Sequence, residues 1–297
     1  MWAFPPRDID SAGAAAFPCA SAILPMHRFL APLLSCLVLC ARAAEPVSAD
    51  PAKSPVLDTF PSGPWMGMNA VFQAPNFDAT LDKDRVLRIQ PKVDGKAVGV
   101  PVVVRFNAYY SYDGSSHGRD LVSLEKRPAP AMQPKKVEFA GHYEQKITFT
   151  FGIHFSEKGI TVDGDVKDPP RLKYPTVFAY AAYFAPSHQI PAETFADDIT
   201  KLTAGYTVKF TDAKRQSEVK QFWEVEKTRS GTVASAEVIG PWSTRRVIIE
   251  MPPTPKNGHR IGNFGNYAVT AFYKGGWYFS RGGTDKVPGG PITVRVE

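Results

Sequence analysis

Hydrophobic and polar residues alternate with a period of two along most of this chain. Between residues 102 and 112, Val102, Val104, Phe106, Ala108, Tyr110 and Tyr112 fall on one face, and Val103, Arg105, Asn107, Tyr109 and Ser111 on the other. Side chains of an extended strand point to opposite sides in turn, so this segment reads as a long strand with one buried face.

The stretch from Tyr143 to Val166 carries the clearest pattern. Tyr143, Gln145, Ile147, Phe149, Phe151, Ile153 and Phe155 occupy odd positions, and after Ser156-Glu157-Lys158-Gly159 the apolar residues move to even positions at Ile160, Val162 and Val166. Both apolar sets share a face only if paired residue numbers sum to an odd value, which predicts a hairpin with Phe155 opposite Ile160. His154 then lies opposite Thr161 and diagonal to Asp163.

Further strands are expected over residues 65–73, 84–90, 176–184, 206–211, 218–226, 232–239, 245–251, 266–273, 277–281 and 291–296, most of them rich in Val, Ile, Phe, Tyr and Thr and bounded by Gly, Pro or Asp. One helix is expected, from Pro191 to Thr203, where Phe195, Ile199 and Leu202 recur at helical spacing. Many strands with a single short helix, and no repeated crossovers, exclude a parallel α/β sheet. The fold class is all-β, an antiparallel two-sheet β-sandwich of jelly-roll or supersandwich type.

Composition adds a destination. Met26-His27-Arg28, the apolar run FLAPLLSCLVLC and Ala41-Arg42-Ala43 have the layout of an export signal, with Met26 a candidate functional start. The run is well short of the ~20 residues needed to span a bilayer, so no transmembrane helix is expected after cleavage. Residues 1–43 are thus read as a leader, 44–64 as a Pro/Ala/Ser-rich linker and 65–297 as a single domain. The expected location is periplasmic or extracellular; a lipid anchor at Cys36, within Leu33-Leu34-Ser35-Cys36, is the alternative.

All three cysteines, Cys19, Cys36 and Cys40, lie in this leader. Cleavage therefore removes disulfides, thiolate nucleophiles and Cys-ligated zinc together, leaving core burial to hold the fold. Loss of the leader takes away three arginines and two aspartates, lowering the formal net charge from +6 to +5. The excess is mild and no run of five like charges occurs, so nucleic acid is not an expected partner.

Few motifs carry chemistry. Gly114-Ser115-Ser116-His117-Gly118 matches G-x-S-x-G, but a hydrolase elbow needs a strand-to-helix turn over a mostly parallel sheet, so a polar loop is the reading here. Asp163, Asp165 and Asp168 lack calcium-loop spacing and read as solvated strand charges. No HExxH, P-loop or dinucleotide glycine pattern is present, so neither metal nor cofactor is expected. His154, a polar-face imidazole with a diagonal carboxylate, has the elements of a general base.

Residues 271–283 read AFYKGGWYFSRGG, a hairpin crowded with aromatic side chains. Flat rings stack on the apolar faces of sugars, and Lys or Arg pairs with uronate carboxylates. Trp277 and Phe279 are expected inward, with Tyr278 and Ser280 outward. Lys274-Gly275-Gly276-Trp277-Tyr278 resembles the YFKAGxYxQ segment of jelly-roll alginate lyases, and Gly152-Ile153-His154 resembles their Q-I-H, although Gly152 and Ser280 stand where that family has glutamine. The resemblance spans under a tenth of the chain and implies a cleft in which His154 and Tyr278 move the proton at C5 of a uronate, with Lys274 nearby.

The expected function is accordingly that of an exported, carbohydrate-binding or envelope-associated sandwich. A glycan is the expected partner, bound by Arg105, Asn107, Tyr109, Asp163 and Lys274. The alternatives are a polysaccharide-acting enzyme of the uronate-lyase kind, with His154 and Tyr278 as acid–base residues, and a structural envelope protein without a ligand.

Overall fold

The computed structural model describes residues 55–184, 204–222, 229–230, 233–241, 245–251, 259–263 and 277–297. The first half of the strands among them are β1 (Met68–Gln73), β2 (Phe77–Asp82), β3 (Leu87–Val93), β4 (Lys96–Ala97), β5 (Val102–Tyr112), β6 (Ser115–Gly118), β7 (Leu121–Lys126), β8 (Ala131–Met132), β9 (Lys136–Tyr143) and β10 (Ile147–Ser156). The others are β11 (Gly159–Lys167), β12 (Val177–Phe184), β13 (Thr207–Asp212), β14 (Ser217–Gln221), β15 (Arg229–Ser230), β16 (Val233–Ile239), β17 (Arg246–Glu250), β18 (His259–Asn263), β19 (Trp277–Gly283) and β20 (Ile292–Val296). The helix expected over 191–203, the strand over 266–273 and Lys274 lie outside the described residues.

These strands form two sheets. One runs β15-β18-β19-β12-β5-β3-β2-β1-β8, with β4 beside β3 and β6 beside β5, making eleven strands; the other runs β14-β13-β16-β17-β20-β11-β10-β9-β7, making nine. Pairing is antiparallel except between β1 and β8, which run parallel. Both sheets exceed the eight strands that a whole jelly roll contains, so the larger of the two expected architectures is present.

Alternation puts the core between the sheets. Phe106 on β5 packs its ring 4.7 Å from Phe151, 5.4 Å from Phe178 and 5.5 Å from Phe139, joining the two layers at one point. A second cluster joins Phe184, Tyr206, Phe222 and Trp277, and the Trp277 indole Nε1 donates to the Phe222 carbonyl at 3.2 Å. Trp277 and Phe279 are fully buried, as the alternation requires.

The break in the pattern at Gly164 has a packing cause. This position faces inward opposite Phe151, and a Cβ there would collide with the Phe178 ring from the other sheet. Glycine makes room for that ring.

Two expectations require correction. The apolar alternation from Tyr143 onward predicted one continuous strand, but Glu144–Lys146 form a tight 3-10 turn and Tyr143 pairs back with Ile147. Gln145 and Lys146 hold φ of 58° and 60°, a left-handed conformation that no glycine, proline or asparagine announced in the sequence. The expected linker, in turn, is part of the fold from residue 57 onward. Leu57 is buried in the core, and the Asn69 side-chain amide donates to the Asp58 carbonyl at 2.7 Å.

Candidate functional site

β5 is the longest strand among the described residues and has different neighbours along its length. On one side β12 pairs with it from Val102 to Tyr109. On the other, β3 pairs only with Val102–Val104 and β6 only with Tyr109–Tyr112. Between these, no described strand pairs with residues 105–107 on this side, and the Ala108 carbonyl accepts the Arg119 N–H at 2.8 Å.

A cavity of about 400 Å³ lies at that gap, lined by Arg85, Arg88, Arg105, Asn107, Arg119 and Tyr143 together with Asp82 and Asp84. Asp82 is engaged: one carboxylate oxygen accepts Arg88 at 2.6 Å, and the other accepts the backbone N–H groups of Asp84 and Val86. Arg85, held at φ 67°, donates to the Pro55 carbonyl. Burial is the main influence on its guanidinium and lowers its pKa, because a desolvated cation is disfavoured. Burial likewise pushes the Tyr143 phenol up, keeping it neutral.

Arg119 sits where the chain passes from β6 in one sheet to β7 in the other. It is only 7% exposed, donates from Nη2 to the Tyr174 carbonyl at 2.9 Å and lies 3.5 Å from Glu144. Its Nε is buried with no hydrogen-bond partner among the described residues. Its guanidinium carbon stands 4.1 Å from the centre of the Tyr110 ring, a cation–π contact.

Through Tyr110 the cavity adjoins an aromatic cluster. The Tyr110 ring stacks with His117 at 5.2 Å and with Tyr174 at 5.5 Å; Tyr112 lies 5.1 Å from Tyr174, and Lys173 Nζ is 5.0 Å from the Tyr174 ring centre. Tyr112 is 52% exposed, and His117 is exposed beside it. The face of β5 that buries Val102, Val104 and Ala108 therefore opens to solvent at its far end.

The structure brings some of the sequence-predicted residues together and separates others. Arg105 and Asn107 line the cavity. Tyr109 is buried next to them, opposite Gly118 on one side and Val177 on the other. Tyr278 shares the outer face of the eleven-stranded sheet with these three, opposite Tyr183, which in turn pairs with Val103.

His154 and Asp163 belong elsewhere. Phe155 does pair with Ile160 and His154 with Thr161, and the Asp163 carboxylate folds over Gly152 beside the imidazole. This cluster, however, lies on the outer face of the nine-stranded sheet. His154 and Tyr278 point away from each other on opposite surfaces of the sandwich, with two layers ~10 Å apart between them, so no acid–base pair is assembled.

Two further groupings carry residue types used in catalysis. Ser123 Oγ and Glu125 both contact His142 through Nδ1, each at 2.8 Å, whereas a proton relay needs partners on the two different ring nitrogens. Ser116, at the centre of G-x-S-x-G, lies in β6, a strand rather than the polar loop expected.

Sequence reasoning missed Arg85, Arg88, Arg119, Tyr110, Tyr112, His117 and Tyr174. The clustered tyrosines at 109, 110 and 112 were a usable signal, but alternation assigned Tyr110 and Tyr112 to the interior.

No protein-family model matches the chain, and no curated protein matches it in sequence. Among solved structures it is similar to a galactose mutarotase-like protein from Lactobacillus casei ATCC 334, at a TM-score of 0.42 and 12% identity over 78% of this chain and 99% of that one. It is also similar to a candidate aldose 1-epimerase from Escherichia coli K12, at a TM-score of 0.40 and 11% identity, with 78% and 99% covered. At this level of similarity no function transfers, and the site is read from its own residues.

Proposed function

We propose that this is an exported carbohydrate-binding protein whose contact surface is the aromatic cluster at the end of the β5–β6 hairpin. One observation carries the reading: Tyr112 and His117 are exposed on a platform that Tyr110 and Tyr174 hold in place. Aromatic rings kept in water by stacked neighbours present flat apolar area at little conformational cost, which suits the apolar face of a pyranose. The export signal over residues 26–43 supports placing this surface outside the cytoplasm, where polysaccharides are met.

Calorimetric titration of the protein with neutral and acidic oligosaccharides tests the reading. Tyr112→Ala is expected to weaken binding about tenfold, a loss of ~1.4 kcal/mol, with unchanged thermal stability. Absence of binding across a glycan array, or full affinity in the Tyr112→Ala variant, refutes it. N-terminal sequencing of protein recovered from the periplasm or medium tests export, with cleavage after Ala43 expected.

A further inference from the structure

We infer that the outer edge of β14 is where two copies of this chain meet, paired antiparallel about a two-fold axis through Val219, so that their nine-stranded sheets continue into one another.

β14 ends the nine-stranded sheet, and among the described residues it pairs only with β13. Two backbone hydrogen bonds fix which way its residues face. The Asp212 N–H donates to the Gln216 carbonyl at 2.9 Å, and the Phe222 N–H to the Tyr206 carbonyl at 3.1 Å. Bonded and non-bonded pairs alternate along an antiparallel ladder, so Glu218 and Lys220 turn their backbone groups toward β13, and Ser217 and Val219 turn theirs outward. The Val219 side chain is 61% exposed beside them. At the opposite end of the sheet, β7 carries two register shifts against β9, irregularities that turn an edge away from partners, whereas β14 follows β13 without one.

Charge then selects the occupant and its register. A strand that bonds to the outward groups of Ser217 and Val219 places its own non-bonded positions opposite Glu218 and Lys220, where cross-strand side chains lie closest. If that strand is a second β14, a dyad at Glu218 sets two carboxylates face to face, and a dyad at Lys220 sets two ammonium groups face to face; like charges directly opposite are destabilising. A dyad at Val219 sets Glu218 of each copy against Lys220 of the other. It also lets the two Val219 residues exchange N–H and C=O bonds and withdraws their side chains from water.

Glu218 and Lys220 already hold each other at 3.4 Å along the strand, so the join exchanges partners and requires no unengaged charge. Both stand opposite the buried Phe210 and Val208 and share their face of the sheet. Charges on that face deter an apolar foreign strand, while a second copy meets each with its opposite. The contact is isologous and closes at two subunits.

The test is sedimentation equilibrium of the full chain over a concentration series, with residue-resolved amide exchange alongside, under reducing conditions so that Cys19, Cys36 and Cys40 do not link copies. One strand pair is a small interface, so association is expected in the micromolar-to-millimolar range. Glu218→Lys and Lys220→Glu each set like charges opposite and should weaken the dimer at least tenfold; the two together restore opposite charges and should recover it. The Val219 amide should exchange more slowly as concentration rises, whereas the Lys220 amide, already turned to β13, should not respond. Val219 exchange is read on the unaltered chain and decides the matter even where a substitution unfolds the sheet.

A chain that stays monomeric at millimolar concentration, a dimer indifferent to Glu218→Lys, a double variant no better than the single ones, or a Val219 amide that ignores concentration overturns the inference. So does an edge that takes a strand of a different protein in place of a second copy.

Discussion

The guanidinium of Arg119 lies 4.1 Å above the Tyr110 ring, tying the cationic cavity to the aromatic platform through one nearly buried side chain. Such a contact is worth ~0.5–2 kcal/mol depending on desolvation. A double-mutant cycle with Arg119→Lys and Tyr110→Leu should therefore give a coupling energy of about 1 kcal/mol in denaturant unfolding. Strict additivity would show that the two groups touch without stabilising each other.

Gly164 and Gly152 lie on neighbouring strands of one sheet and should respond oppositely to alanine. At Gly164 the added methyl meets the Phe178 ring inside the core, and overpacking of this kind costs ~1–3 kcal/mol. At Gly152 it meets only an Asp163 carboxylate oxygen, 2.6 Å from the ideal Cβ position, which can swing away into water. Gly152→Ala should be neutral or slightly stabilising, since glycine inside a strand is itself unfavourable by ~0.5–1 kcal/mol. Urea midpoints for the two variants check the contrast.

Acid should weaken the outer face of the nine-stranded sheet. Hydrogen bonds from Lys126 and Lys136 hold the Glu138 carboxyl down to about 2. A carboxylate with a lowered folded pKa contributes stability above its unfolded value, ~4.3, and loses it as the pH falls toward 2. The group is a third exposed, so solvent screening keeps the effect small. Glu138→Gln should flatten the acid limb of the stability curve in low salt, and ~1 M salt should erase the difference from wild type.

Alkali should act through buried phenols. Burial pushes Tyr206 up to about 12 and raises Tyr143 and Tyr180 as well. Each phenol is neutral in both states below pH 10; above it the unfolded chain ionises first, so stability falls as the pH climbs to 12 and beyond. For Tyr206 alone the loss is on the order of 2–3 kcal/mol. Tyr206→Phe should make the alkaline limb shallower, as followed by tyrosinate absorbance and unfolding together.

The sandwich was legible in the sequence because burial on one face writes itself as a period of two. The β10–β11 register followed from parity together with a short four-residue loop, down to Phe155 opposite Ile160. The turn at Glu144–Lys146 was not legible, because the pairing of Tyr143 with Ile147 closes over Gln145 and Lys146 in left-handed backbone, a conformation for which these residues have no local preference.

A smaller part of the cavity was visible in the same way. Arg105 and Asn107 stood out as polar residues on a long strand, whereas Arg85, Arg88 and Arg119 reach it from a turn, a neighbouring strand and a crossing between sheets. Tyr110 and Tyr112 were misplaced because alternation reports which face a residue occupies and not where the opposing layer stops. His154 and Tyr278 were paired by chemistry, and only the topology shows that they occupy different sheets.

β20 occupies the interior of the nine-stranded sheet, with β11 on one flank and β17 on the other. The hydroxyls of Thr161 and Thr293 meet at 2.9 Å although 132 residues separate them along the chain. Until residues 292–296 have left the ribosome, β11 and β17 have no common neighbour, and the sheet exists at best as two unjoined halves. Closure over so long a loop is slow. The moment at which β20 can pair therefore sets when the nine-stranded sheet can close.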